Sequence, residues 1–211
     1  MLRKISALVL FSICLSIISY AQNFEGIIEF KKITDKKEVN YVYYVKGDKV
    51  RIDEFTPGTR NVEASFILGL KDSSMVYLDH EKKIWGTRKP SPPTAAPAGC
   101  VVSSTKNSKI LFGYKCIETQ VENKSDSASI SYFIAAGKFS FFAPMMKLLN
   151  RQERFSTYLK AVTLKDGSMP LLAIEKDLNG NEIGRLEVTR LEQKSLVDGM
   201  FDTPKDYRRV E

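Results

Sequence analysis

Histidine and tryptophan occur once each in the 211 residues, and cysteine only three times. A single histidine, His80, leaves little for a metal centre or a histidine-based catalytic machine. It lies in "LDHEKK", which reads as the solvated tip of a hairpin. Signature motifs are missing too. No G-x-S-x-G elbow, H-E-x-x-H pair, P-loop or Rossmann glycine pattern occurs, so neither a catalytic residue nor a cofactor is expected. The 25 acidic residues could still supply a hydrolytic carboxylate pair, which sequence alone does not place. The formal charge is +7, yet Lys and Arg are mixed with Asp and Glu in runs such as "KKITDKKE" and "NRQER". No compact basic block of the kind nucleic acid requires is present.

Long apolar runs are absent except at the start. "MLRKISALVLFSICLSIISYAQNFEG" carries Arg3 and Lys4, then an apolar stretch from Ile5 to Ile18, then small residues at Ser19 and Ala21. This is the layout of a secretory signal peptide with cleavage after Ala21. The stretch falls short of the about 20 residues a membrane span needs, and no later segment approaches that length. The expected organisation is therefore a signal peptide at 1–21 and one domain at 22–211. The product would be periplasmic or secreted, with no transmembrane segment after cleavage.

Cys14 leaves with the signal, so the mature chain keeps Cys100 and Cys116. In an oxidising compartment an isolated pair is expected to bridge. The bridge would close a loop of about 15 residues, worth roughly 3 kcal/mol. Just before Cys100 runs "KPSPPTAAPAG", too rich in proline for a helix or a regular ladder. Cys116 is placed on a strand and Cys100 at the end of this loop. A metal is not expected there, since two cysteines and His80 cannot complete a structural zinc site without carboxylates. "NKS" at Asn123–Ser125 fits a glycosylation sequon, a short pattern that also arises by chance.

What is abundant is alternation. "VNYVYYVKGDKVRIDEF" reads as two strands around Gly47-Asp48, with Gly47 at positive φ. Tyr41, Tyr43 and Val45 share one face, as do Val50 and Ile52, while Arg51 and Asp53 point the other way. "SMVYLDHEKKIWGTR" is a second hairpin, and Asn179-Gly180 marks a third. About ten antiparallel strands are expected. One segment follows another period. After Pro144, expected at the first helical position, Met145, Leu148, Leu149, Gln152, Phe155 and Leu159 fall mostly on one helical face. Asn150 is a point where this helix can break. The preceding "KFSFFAPMMKLL" concentrates Phe and Met beyond the needs of one face, and methionine suits adaptable apolar sites. Phe139, Phe142, Met145, Met146 and Leu149 are accordingly the candidate ligand-binding residues. The alternative is that they plug the core.

"EGIIEFK", "YYVKGDKVRID", "MVYLDHEKKIW", "ILFGYKC", the strand beginning Pro170-Leu171 and "MFDTPKDYR" resemble a family of exported bacterial domains of unknown function. That family is placed with the periplasmic lipoprotein-carrier superfamily, LolA/LolB-like. "GDKVRID" and "GYKC" are the most specific pieces. The resemblance implies an α+β, mostly β fold: a strongly bent antiparallel sheet, or half-barrel, with one main helix over its concave face. It also implies binding of an apolar or acyl-chain ligand, without catalysis. It carries no site residues across. The competing expectations are a structural or interaction protein with a self-filled core and, less favoured, a hydrolase with a carboxylate site. No protein partner can be named from the sequence.

Overall fold

The alternating runs form strands because β-branched and aromatic residues at every second position suit a pleated, half-buried surface. The computed structural model describes residues 23–34, 37–56 and 58–210. The proposed signal peptide and Cys14 lie outside them. In chain order the strands are β1 Gly26–Thr34, β2 Lys37–Lys46, β3 Lys49–Phe55, β4 Val62–Gly69, β5 Ser74–Asp79, β6 Ile84–Thr87, β7 Val101–Leu111, β8 Tyr114–Asn123 and β9 Ala128–Ala135. Helices α1 (Phe142–Leu149) and α2 (Arg154–Leu159) follow, then β10 Met169–Lys176 and β11 Glu182–Gln193. A 3-10 turn at Asp198–Phe201 and the short β12 Arg208–Arg209 end the described chain.

All twelve strands join one curved, open sheet in the order β12-β6-β5-β4-β3-β2-β1-β11-β10-β9-β8-β7. Two meanders, β1 to β6 and β7 to β11, meet where β1 pairs with β11 from Gly26↔Gln193 to Thr34↔Gly184. Every pairing is antiparallel except β12 with β6, which is parallel. The expected half-barrel is present, with twelve strands in place of about ten.

The facing of β3 is as expected. Val50 and Ile52 belong to the main core with Ile28, Tyr132 and Met145, whereas Arg51 and Asp53 look to the opposite face. Gly47 turns β2 into β3 at φ 58°, the left-handed region where a glycine is strain-free. The opposite face is not bare. Ile67 and Leu78 pack there with Leu196 and Phe201, so the C-terminal segment covers it as a second, smaller core. Both faces of the N-terminal meander are thus covered, which the sequence pattern did not show.

Two expectations are corrected. "KILFGYKC" contains a turn: Phe112 and Gly113, both at positive φ, fold it into the tight β7–β8 hairpin. The register then separates the cysteines. Cys116 pairs with Lys109, while Cys100 precedes Val101, whose partner is Glu122. Six residues of β8 separate Cys116 from Glu122, roughly 20 Å of extended chain. A disulfide tolerates Cα atoms only about 7 Å apart, and both thiols are free. Cys100 lies instead 3.8 Å from the Asn123 side-chain amide. That amide also donates to Ala98 O at 2.9 Å, so Asn123, not a bridge, ties the loop to the sheet. Asn123 is only 2% exposed, which rules it out as a glycan acceptor in the folded chain.

The second correction concerns Pro144, which is not the first helical position; the segment does break at Asn150, into two helices. α1 starts at Phe142, placing Pro144 at its third position, still inside the first turn, where a missing N–H does no harm. It stops because Asn150 adopts φ 41°, ψ 44° and caps with its N–H on Met146 O, 3.0 Å away.

Candidate functional site

The two helices cover the sheet with different surfaces. Phe142, Met145 and Leu148 of α1 and Phe155, Tyr158 and Leu159 of α2 face inward. Hydroxyls pin α2 in place: Tyr132 donates to Phe155 O at 2.7 Å, and Tyr158 to Asp126 Oδ2 at 2.6 Å. Burial, reinforced by that bond to a carboxylate, pushes the Tyr158 hydroxyl up to about 12.

Between the helices and the sheet lies a mostly apolar cavity of about 40 Å³, with Phe30, Tyr43, Tyr132, Phe142, Met146 and Leu159 in its wall. An open groove of about 370 Å³ adjoins it, roofed by Pro93 and Thr94 of the proline-rich strap. Met146, Ser156 and Leu159 line both spaces and so form the partition between them. Farther along, the strap and α1 enclose a trough of about 830 Å³ lined by Pro90, Pro92, Pro144 and Leu148. The strap is held at the helix break. Asn150 donates to Pro92 O at 2.6 Å, and its Oδ1 accepts from Thr94 Oγ1 at 3.0 Å and Lys160 Nζ at 2.9 Å.

The five sequence candidates separate here. Phe142 and Met146 line the cavity, and Met146 also lines the groove. Leu149 faces a different groove, of about 360 Å³, with Tyr41, Phe66, Met75 and Arg88. Phe139 and Met145 are fully buried. Phe139 sits in an aromatic nest, 5.7 Å from the Phe24 ring and 5.1 Å from that of Tyr114, and anchors the start of the domain to the segment before α1. For these two the core-plug alternative describes the position.

Charged residues at one end of the cavity are hidden from sequence pattern, in which "RQER" reads as a solvated helix face. The break at Asn150 turns Arg151 and Glu153 inward. Arg151 Nη2 meets Glu54 Oε1 at 2.7 Å, and Lys32 Nζ meets Glu153 Oε2 at 2.5 Å. Burial pushes Glu153 toward its neutral form, but the Lys32 contact and the Arg151 charge outweigh it and hold the carboxyl below its usual value. Burial likewise acts against charged Lys32, and Glu153 more than compensates. A hint was available in sequence: four charged or amide residues in a row directly after a helix-breaking Asn.

His80 is a further correction. It lies in the β5–β6 turn as expected, but half-buried and hydrogen-bonded and not freely solvated. Its Nε2 lies 2.7 Å from Ser65 Oγ and its Nδ1 2.6 Å from the Tyr207 hydroxyl. Ser65 donates to Asp53 Oδ1 at 2.6 Å, and Arg51 Nε reaches the same oxygen at 2.7 Å. Ser65 has no exposed surface, so the Ser–His contact offers no room for a substrate; it is a polar latch for the C-terminal segment. Among the described residues no His, Cys, Asp and Glu cluster suits a metal ion, and no helix is long and apolar enough to cross a membrane.

Residues 24–207 match the family described as a domain of unknown function, DUF4412. No curated protein matches the sequence. Among solved structures, an uncharacterized conserved protein from Thermus thermophilus is 12% identical, with a TM-score of 0.50 over 88% of this chain and 90% of that one. The Pseudomonas aeruginosa MucA/MucB complex gives 9% identity and a TM-score of 0.48, over 87% of this chain and 57% of that one. A Vibrio parahaemolyticus domain assigned to outer membrane lipoprotein sorting gives 10% and 0.32, over 84% and 88%. The first likeness shows a shared fold alone; the other two are too loose to argue from. The family match spans nearly all of the described chain, and the protein belongs to the DUF4412 family.

Proposed function

We propose that this domain acts in the cell envelope as a non-catalytic binder of an apolar or acyl chain. The chain would lie in the space between the curved sheet, the two helices and the proline-rich strap. The observation that carries this reading is the partition of Met146, Ser156 and Leu159 between the 40 Å³ cavity and the 370 Å³ groove. Methionine is unbranched and rotates readily, so moving Met146 would merge the two spaces. The groove alone is already in the size range of ligand sites, about 300–1,000 Å³. The carboxylates nearby are each paired with a cation, which favours binding over hydrolysis. Export rests on the N-terminal segment 1–21. The small size of the apolar cavity leaves one competitor, a self-filled structural domain.

The test uses mature protein and the neutral apolar dye N-phenyl-1-naphthylamine, together with native mass spectrometry and lipid extraction of protein from its own envelope fraction. Saturable dye binding that Met146→Trp and Leu159→Trp abolish, with their thermal transitions retained, is the expected result. Wild-type protein that binds no dye and carries no lipid rejects the reading in favour of the self-filled domain.

A further inference from the structure

The groove lined by Leu149 has a chemistry that the apolar cavity lacks. Three cations border it: Lys32, Arg88 and Arg151. Two carboxylates, Glu54 and Glu153, face them, so one positive charge is in excess. The excess belongs to Arg88, which pairs with no carboxylate among the described residues. Arg88 is exposed, and its guanidinium lies 4.9 Å from the Tyr77 ring centroid and 5.9 Å from that of Phe66, a cation resting on aromatic rings at the groove. Arg151 is also under-used. Its side chain is 19% exposed and rests 5.2 Å from the Tyr41 ring. Of its five N–H donors only one Nη2 contact, to Glu54, is made within the described chain. Charged donors removed from water without acceptors are costly, so spare donors in a half-buried guanidinium suit an oxyanion.

The groove and the cavity are continuous in their walls: Arg151 and Glu153 line both. On the cavity side they stand with the half-buried Tyr43. A polar threshold of this kind, between a cationic groove and an apolar cavity, fits a molecule with one charged end.

Resting on the apolar-chain reading above, we propose that the ligand is a single-chain amphiphile with an anionic head, a carboxylate or a phosphate monoester. The head lies against Arg88 and Arg151, and the chain passes Tyr43 into the cavity and, past Met146, into the strap groove. Glu153 stays paired with Lys32, so the head meets the unclaimed guanidinium donors and not a bare carboxylate.

The experiment titrates mature protein with dodecanoate, dodecyl phosphate and dodecanol by calorimetry. Both anions should bind roughly tenfold or more tightly than the alcohol, as charge-assisted pairing to a guanidinium requires. The tighter of the two anions identifies the head. Arg88→Gln breaks no ion pair and should erase the preference while leaving dodecanol binding unchanged. Arg151→Gln should also lower the preference, but it strands Glu54 and alters the cavity wall, so the Arg88 variant decides. Equal affinity for anion and alcohol, or a preference that survives Arg88→Gln, overturns the anionic head yet leaves the apolar site standing. Binding of none of the three overturns both proposals together.

Discussion

His80 shows how one side chain can change role between sequence and structure. Burial lowers its pKa below the ordinary 6.5, and the Arg51 charge lowers it further against the opposing pull of Asp53 and Asp79. The folded chain therefore resists protonation at His80 more than the unfolded chain does. Below 6.5 the unfolded chain binds the extra proton, so stability contributed here rises with pH through that window, is complete above it, and is lost as pH falls. Because His80 holds Tyr207, the loss should fall first on the C-terminal segment. Trp85, the only tryptophan, packs in that second core and reports it. Its emission should shift, and the thermal midpoint fall, between about pH 7 and 5, and His80→Gln should flatten both. Tyr207→Phe, which removes one hydrogen bond, should cost about 1 kcal/mol. Emission and midpoint that ignore pH in the wild type would remove the latch from the account. The sequence showed that His80 is alone but not what it touches, since Ser65 and Tyr207 reach it only through strand pairing and the returning tail. Gly47, by contrast, was legible, because its turn is decided by neighbours in sequence.

Among the elements, the β7–β8 hairpin does most to separate expectation from outcome. Its turn residue Phe112 carries no turn signal, and β7 is polar enough to read as loop: Ser103, Ser104, Lys106, Asn107 and Ser108 all lie within it. A serine-rich strand is explained by its place at the sheet edge, where one side is solvated and no packing demands apolar residues. Once the hairpin forms, Cys100 and Cys116 are carried apart. Thiol titration of the denatured mature protein without reductant should find two free thiols per chain, and reductant should leave the thermal midpoint unchanged. Titration finding none would restore the bridge and require a different register for β7. The helical segment was legible in its period and in Asn150 as a break. The inward turn of Arg151 and Glu153 was not, because a single αL residue redirects everything after it.

At the scale of the whole molecule, the mostly β class and the single helical stretch were readable because period-2 alternation and helical spacing are local patterns; the bend of the sheet and the helical cover over it came only from the family resemblance. The β1–β11 pairing was not: Gly26 and Gln193 find each other across nearly the entire described chain. Nor was the tail that leaves β11 and wraps the N-terminal meander through Leu196, Phe201 and β12. The strap joins the two meanders covalently, and it is exposed along most of its length. A single proteolytic nick between residues 89 and 98 would turn the chain into two polypeptides, yet should not release either. The first would keep β1 to β6 and the second β7 to β12, joined by nine residue pairs along the β1 seam and clasped again by the tail. The nicked protein should elute from gel filtration at its original volume, and the two pieces, expressed separately, should reassemble when mixed. Spontaneous separation after the nick would show that the strap, and not the seam, holds the halves together.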